Sequence, residues 1–339
     1  GMVHAHIAKN QKPVIKICKE IPEVISKLID KLLNKVAEER YQSAQGLKTD
    51  LEKCLKALKD DKAPQSFSLG EGDVSDRFQI PQKLYGRETE INTLLTHFNK
   101  TSYGAPQLLS VCGYSGIGKS ALMNEVHKPI AEHNGLFLSG KFDQFQRNIP
   151  YSAFYQVLKS WLLKVLSLSE HLLQVQREQL NETLGVNARV MIDFMPEFKP
   201  LLGELADVPK LGADETQNRF HLVFLKLITF IAEDRPLVIC IDDLQWADRG
   251  SLNLLPLLMR EADCSLLIIV AYRDNEVDDT HPAIHTLNII RENDADSISS
   301  LSLGPLSLND VQQLLIDSLH HGAKEVQSLS ELVHHKTGG

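Results

Sequence analysis

No apolar run in the 339-residue chain reaches the ~18–20 residues needed to cross a bilayer. The longest candidates, Leu237–Ile241 and Leu266–Ala271, have strand length and lead into charged residues. No signal-peptide pattern opens the chain, and Gly1 before Met2 reads as a scar of tag removal. A membrane partner is therefore not expected, and a cytoplasmic location is. CxxC spacings are also absent. The five cysteines (Cys18, Cys54, Cys112, Cys240, Cys264) are odd in number and far apart, which excludes a disulfide framework and argues against structural zinc. Positive charge is in deficit: 36 Lys and Arg stand against 44 Asp and Glu, a net charge of −8, so no global field steers the protein to nucleic acid. There is no internal repeat. What remains, 43% hydrophobic and 24% charged, is an ordinary globular composition with length for about two domains.

The chain reads in segments. Residues 1–60 carry helical periodicity, with Ile21, Val24, Ile25, Leu28, Leu32 and Leu33 in one set and Leu47, Leu51, Leu55 and Leu58 in another. Residues 61–81 are polar, aperiodic and contain Gly and Pro, as a linker does. Beyond Tyr85, short apolar runs alternate with helical stretches, the pattern of a parallel sheet covered by helices. The expected strands are Leu108–Cys112, Leu136–Ser139, Leu237–Asp242, Leu266–Tyr272 and Ile298–Leu303, with a helical insert at 150–233. A core domain over 82–305 and the start of a helical subdomain over 306–339 follow, the latter opened by a capping box at Ser307–Asp310.

Gly113-Tyr-Ser-Gly116-Ile-Gly118-Lys119-Ser120 fits GxxxxGK[ST] between a strand and a helix. Its glycines let successive N–H groups converge on an anion at a helix N-terminus. Lys119 can then reach β- and γ-phosphates, and the Ser120 hydroxyl can ligate Mg²⁺. The plainer alternative is a chance Gly-rich turn. Leu237–Ile241 delivers Asp242 and Asp243 to the C-terminal edge of a buried strand, where open α/β sheets bind ligands. Asp242 would hold Mg²⁺ and Asp243 would polarise the attacking water. The alternative is a strand ending in a solvated turn. Arg273 ends the next apolar strand and can sense a γ-phosphate, or can pair structurally with Asp274 or Glu276. The histidine pairs His4/His6, His320/His321 and His334/His335 lack partners at ligand spacing and read as surface residues. Trp161 and Trp246 read as core, Trp246 less firmly because it adjoins Asp243.

Tyr85-Gly86-Arg87-Glu88, the Gly-rich loop, Ile241-Asp-Asp-Leu-Gln-Trp-Ala-Asp248 and Ala271-Tyr-Arg-Asp274 together resemble the AAA-like P-loop module of signal-transduction ATPases with numerous domains (STAND) over roughly 82–339. Lys141-Phe-Asp-Gln144, Arg147-Asn-Ile-Pro-Tyr151, Gln217-Asn-Arg-Phe220 and Tyr272–Val277 resemble a subgroup from large bacterial hybrids, where a Ser/Thr kinase precedes the ATPase and a GAF-plus-histidine-kinase unit follows. The resemblance implies a five-stranded α/β sheet of order 5-1-4-3-2, with ATP or ADP and Mg²⁺ as ligands. It implies Tyr85, Gly86 and Arg87 near adenine, and Gly113, Gly116, Gly118, Lys119 and Ser120 on the phosphates (Walker A). Asp242 and Asp243 become the Walker B acids and Arg273 a sensor. Residues 1–60 resemble the last helices of a protein kinase C-lobe, through Ile21-Pro22, Leu32–Lys35, Glu38-Glu39-Arg40-Tyr41 and Leu47–Leu51. The Gly-rich loop, HRD and DFG motifs of a kinase are missing, so no kinase activity is expected, and Arg40 must find another partner or face water. The ending at Thr337-Gly-Gly339 stops short of the family's next motif, so a fragment of a longer protein is expected.

Two functions stand. One is a regulatory switch that binds ATP and hydrolyses it slowly within a multidomain signalling kinase. The other is a scaffold that holds ADP and offers its helical insert to a protein partner or a second copy. A small-molecule kinase is disfavoured because Arg is sparse after the Gly-rich loop.

Overall fold

The computed structural model describes residues 12–339 except 19, 35–38, 60–66, 71–72, 74–82, 102–103, 126, 133–134, 146–148, 210 and 320. The readings made for Gly1, Met2, His4, His6, Lys35, Glu38, Arg147, Asn148, His320 and most of 61–81 lie outside the described residues. The chain divides into two compact units, one Arg87–Gly304, the other Gly1–Gly86 with Pro305–Gly339.

Arg87–Gly304 is built on five parallel strands: β1 Gln107–Cys112, β2 Leu136–Lys141, β3 Leu237–Asp242, β4 Leu266–Tyr272 and β5 Ile298–Ser302. Their order is β2-β3-β4-β1-β5, the expected 5-1-4-3-2 read from the other edge. β3 and β4 read as near-unbroken apolar runs, as strands buried on both faces do, whereas β2 and β5 alternate buried with more exposed residues. In β4, Leu266 to Ala271 are fully buried. Three strands differ in length from expectation: β1 starts one residue earlier, β5 ends one residue earlier, and β2 runs on through Gly140 and Lys141. Glycine was a reasonable stop signal for β2. The strand continues because Gly140 passes the backbone of Ala153 so closely that a Cβ there would lie 2.1 Å from its carbonyl oxygen. Lys141 is thereby paired in register with Asp242.

The insert holds the helices Ser152–Leu166, Glu170–Leu184 and Ala213–Ala232, with shorter turns between. Phe154, Trp161, Phe198 and Phe224 fill its core, which is continuous with that of the sheet. Trp161 is core, as its pattern implied. Tyr151 enters the insert in the left-handed region, at φ 61°. Its amide donates to Asp248 Oδ2 at 2.9 Å and its hydroxyl meets His221 Nε2 at 2.9 Å. That tether holds a conformation a non-glycine residue adopts only when its surroundings fix it.

In the other unit, the helices Glu23–Leu32 and Ala44–Lys59 match the two periodic sets. The second helix buries Gly46, Asp50 and Cys54, while Leu51, Leu55 and Leu58 face outward. Buried Asp50 explains the rotation, because it accepts from Tyr41 Oη and the Gly70 amide, both at 2.7 Å. Arg40 is exposed and donates to the carbonyl of Asn34 at 2.7 Å. The helices Leu308–Leu319 and Ala323–Thr337 pack around Val311, Leu315 and Val326. The capping box is formed: the Asp310 amide donates to Ser307 Oγ at 3.2 Å, and Ser307 N–H to Asp310 Oδ2 at 3.1 Å.

Candidate functional site

β1 ends at Cys112 and a helix begins at Lys119, so residues 113–118 form the loop between them. Gly113, Gly116 and Gly118 have φ of 149°, 84° and 103°. At Gly116 and Gly118 a Cβ would meet nothing within 4 Å. Backbone conformation, not space, requires glycine there. Lys119 is 7% exposed and its ammonium donates to the carbonyls of Gly113 (2.6 Å) and Tyr114 (2.9 Å). Burial pushes its pKa below the ordinary lysine value, against the pull of Asp242. Ser120 Oγ donates to Asp242 Oδ2 at 2.7 Å, so a hydroxyl and a carboxylate from positions 122 residues apart stand side by side.

Asp243 follows with φ 54°, a left-handed residue that turns the chain out of β3. Its carboxylate is 3% exposed and ringed by donors. Gln245 Nε2 donates to Oδ1 at 2.9 Å, Arg273 Nε stands 3.4 Å from Oδ1, and the Lys141 ammonium stands 2.9 Å from Oδ2. The Lys141 pKa is raised, first by its bond to Asp243. Arg273 also reaches Glu276 Oε1 at 2.6 Å and lies 4.9 Å over the Trp246 ring. Arg273 thus pairs with Glu276, as its structural reading expected, and it also faces Asp243. Trp246 is half-buried beneath it and packs against the main hydrophobic core.

Gly116, Gly118, Lys119, Ser120, Lys141, Asp242, Asp243 and Arg273 line one cleft of about 250 Å³ at the C-terminal edge of the sheet. A larger cavity of about 570 Å³ lies elsewhere, walled by Tyr151, Phe194 and Phe220. Its wall is mainly apolar, whereas the lysines, the arginine and the carboxylates gather in the smaller cleft. Arg87, expected near the base, donates to the carbonyls of Gly304 (2.6 Å) and Ile117 (3.4 Å), bracing the loop from behind. Tyr85 and Gly86 belong to the other unit. Tyr85 Oη donates to Asp317 at 2.8 Å, and Gly86, at φ 60°, has the Asp310 carboxylate where a Cβ would be.

Lys141 and Gln245 were quoted in motifs but given no role. A cation ending a strand beside the acid-bearing strand was the available signal for Lys141; for Gln245 the sequence offered none.

The chain is similar to much longer signalling proteins. It is 35% identical over 279 residues to the hybrid signal transduction histidine kinase G of Dictyostelium discoideum, covering 76% of this chain and 8% of that protein. It is 22% identical over 410 residues to the peroxide stress-activated histidine kinase mak3 of Schizosaccharomyces pombe, covering 96% of this chain and 17% of that protein. Among solved structures it is similar to a Pyrococcus horikoshii STAND protein with a tetratricopeptide repeat sensor (16% identity, 76% of this chain and 28% of that one, TM-score 0.35). It is also similar to Drosophila ORC bound to DNA (14% identity, 83% and 63% covered, TM-score 0.42). The family model described as the AAA ATPase domain matches residues 83–270, over half of the sequence and all of the cleft except Arg273. The parallel sheet, the glycine loop that follows its β1 strand, and that match together make this chain a member of the AAA ATPase domain family.

Proposed function

We propose that this chain is an ATP-binding, slowly ATP-hydrolysing regulatory module of a larger signal-transduction kinase. The observation that carries the reading is the convergence of Lys119, Ser120, Asp242, Asp243 and Arg273 on one cleft. A polyphosphate needs fixed donors and cations, and the loop N–H groups, Lys119 and Arg273 provide both. Ser120 Oγ and Asp242 Oδ2 are hard oxygen ligands 2.7 Å apart, a donor set that fits Mg²⁺. When bound, the ion would neutralise phosphate charge. Asp243 would hold the attacking water in line, and Arg273 would report the γ-phosphate.

The larger protein in this reading also carries kinase, GAF and histidine-kinase domains, and residues 1–60 are the tail of its Ser/Thr kinase lobe. The histidine-kinase relatives support that setting. The exposed Leu163 and Leu172 of the insert support a contact with a protein partner or a second copy. An ADP-holding scaffold is the second reading. It is favoured by one observation: Asp243 is engaged by Lys141, Arg273 and Gln245, which compete with a water proton for its oxygens.

The test is to denature the purified protein, identify released nucleotide by chromatography, then titrate Mg-ATP and follow phosphate release. Bound Mg-ATP with slow phosphate release supports the switch. Stoichiometric ADP without release supports the scaffold. Neither bound nucleotide nor Mg-ATP binding overturns both.

A further inference from the structure

The hydrogen-bond ladder between β3 and β4 ends at the pair Ile241–Val270, before either strand reaches its functional residue. Past that rung one side chain takes over. Gln245 lies in the short turn Leu244–Trp246 and is 3% exposed. Its Nε2 donates to Asp243 Oδ1 at 2.9 Å, and its Oε1 accepts the Arg273 amide at 3.2 Å. The amide can stand only one way round, because the carboxylate only accepts and the backbone N–H only donates. No other side chain of this size offers both ends: leucine offers neither, and glutamate faces Asp243 with a second negative oxygen.

We infer that Gln245 is a positioning residue, which orients the Asp243 carboxylate and ties it to the backbone of Arg273 so that the acid and the sensor keep one geometry. This rests on the ATPase reading and adds a residue to it. Asp243 sits at φ 54°, and Arg273 is drawn over Trp246 and toward Glu276. Gln245 joins these two arrangements through a neutral side chain. Its side-chain hydrogen bonds run to Asp243 and the Arg273 amide, so its loss should leave nucleotide affinity intact and slow the chemical step.

The experiment compares wild type, Gln245→Leu and Gln245→Glu in the full chain. It measures binding of a fluorescent ATP analogue, single-turnover phosphate release, and the Arg273 amide resonance. Gln245→Leu is expected to bind within about threefold of wild type and release phosphate at least about tenfold more slowly. Gln245→Glu places two carboxylates on one proton. Its rate relative to wild type should therefore climb at least about tenfold from about pH 8.5 to about pH 5.5, as the protonated Glu side chain regains the donor. A merely structural role predicts no such slope. A Gln245→Leu rate within about twofold of wild type, or a Gln245→Glu ratio that is flat with pH, overturns the inference. If the wild-type protein releases no phosphate, the hydrolysis reading fails by itself and the Arg273 amide decides. Its resonance must titrate in Gln245→Glu and not in wild type; an amide indifferent to both substitutions overturns the tie.

Discussion

Replacing Lys119 by alanine separates a binding role from a packing role. The ammonium makes two charge-assisted bonds, to the Gly113 and Tyr114 carbonyls, each worth about 1.5–3 kcal/mol before desolvation is counted. Burial already lowers the Lys119 pKa, so much of that gain offsets the cost of holding a cation at 7% exposure. Truncation opens the side chain's channel to the cleft, and water can then reach both carbonyls. The expected loss of folding stability is therefore about 1 kcal/mol or less. Nucleotide affinity has no such compensation. Removing the buried cation that faces the phosphates should cost about 2–4 kcal/mol, which is about 30- to 1,000-fold in Kd. The assay is a Mg-ATP titration beside urea unfolding of the same two proteins. A stability loss above about 3 kcal/mol, or an affinity change below about threefold, would refute the reasoning, because the lysine would then be a strut of the loop.

Asp243→Asn should keep Mg-ATP affinity within about threefold and slow phosphate release by about a hundredfold or more, read in single turnover. Gly140→Ala must move β2 or the Ser152–Leu166 helix by about 1 Å to relieve a 2.1 Å contact with a backbone oxygen, for about 3 kcal/mol in urea unfolding. An unchanged midpoint would mean that the strand yields freely. Burial lowers the pKa of both His97 and His221 from the usual value of 6.5. The unfolded chain therefore binds more protons than the native one just below pH 6.5, and stability should fall as pH drops through that window, by up to about 1.4 kcal/mol per pH unit per histidine. His97→Gln and His221→Asn should each flatten the curve, and slopes identical to wild type would count against these two residues.

The five strands were legible as short, mostly apolar runs of strand length between polar punctuation, while their order came from the family resemblance. The glycine loop was legible because its chemistry is local: donors, lysine and serine lie within eight consecutive residues. Helix Ala44–Lys59 shows where periodicity misleads. The leucine stripe marked a helix correctly, yet the buried face is set by Asp50, a carboxylate whose partners Tyr41 and Gly70 lie 9 and 20 residues away. A pattern of apolar residues carries no record of such a bond. Lys141 was missed through a boundary: once β2 is ended at Ser139, the lysine becomes a loop residue, and its register with Asp242 disappears.

The cleft also explains how a chain of net charge −8 can receive a polyanion. Lys119, Lys141 and Arg273 face Asp242 and Asp243 there, three cations to two anions within one small space. None of the cations is idle. Lys119 is held by loop carbonyls, while Lys141 and Arg273 are held by Asp243. In the proposed ATPase reading, a phosphate chain entering the cleft competes for these same groups, and whatever it draws away from Asp243 frees that carboxylate to accept a proton. That reading links affinity and reactivity through the same ion pairs: the nucleotide that takes the cations would also be the one that releases the acid. Gln245, a neutral donor to Asp243, is the partner that such competition would leave in place.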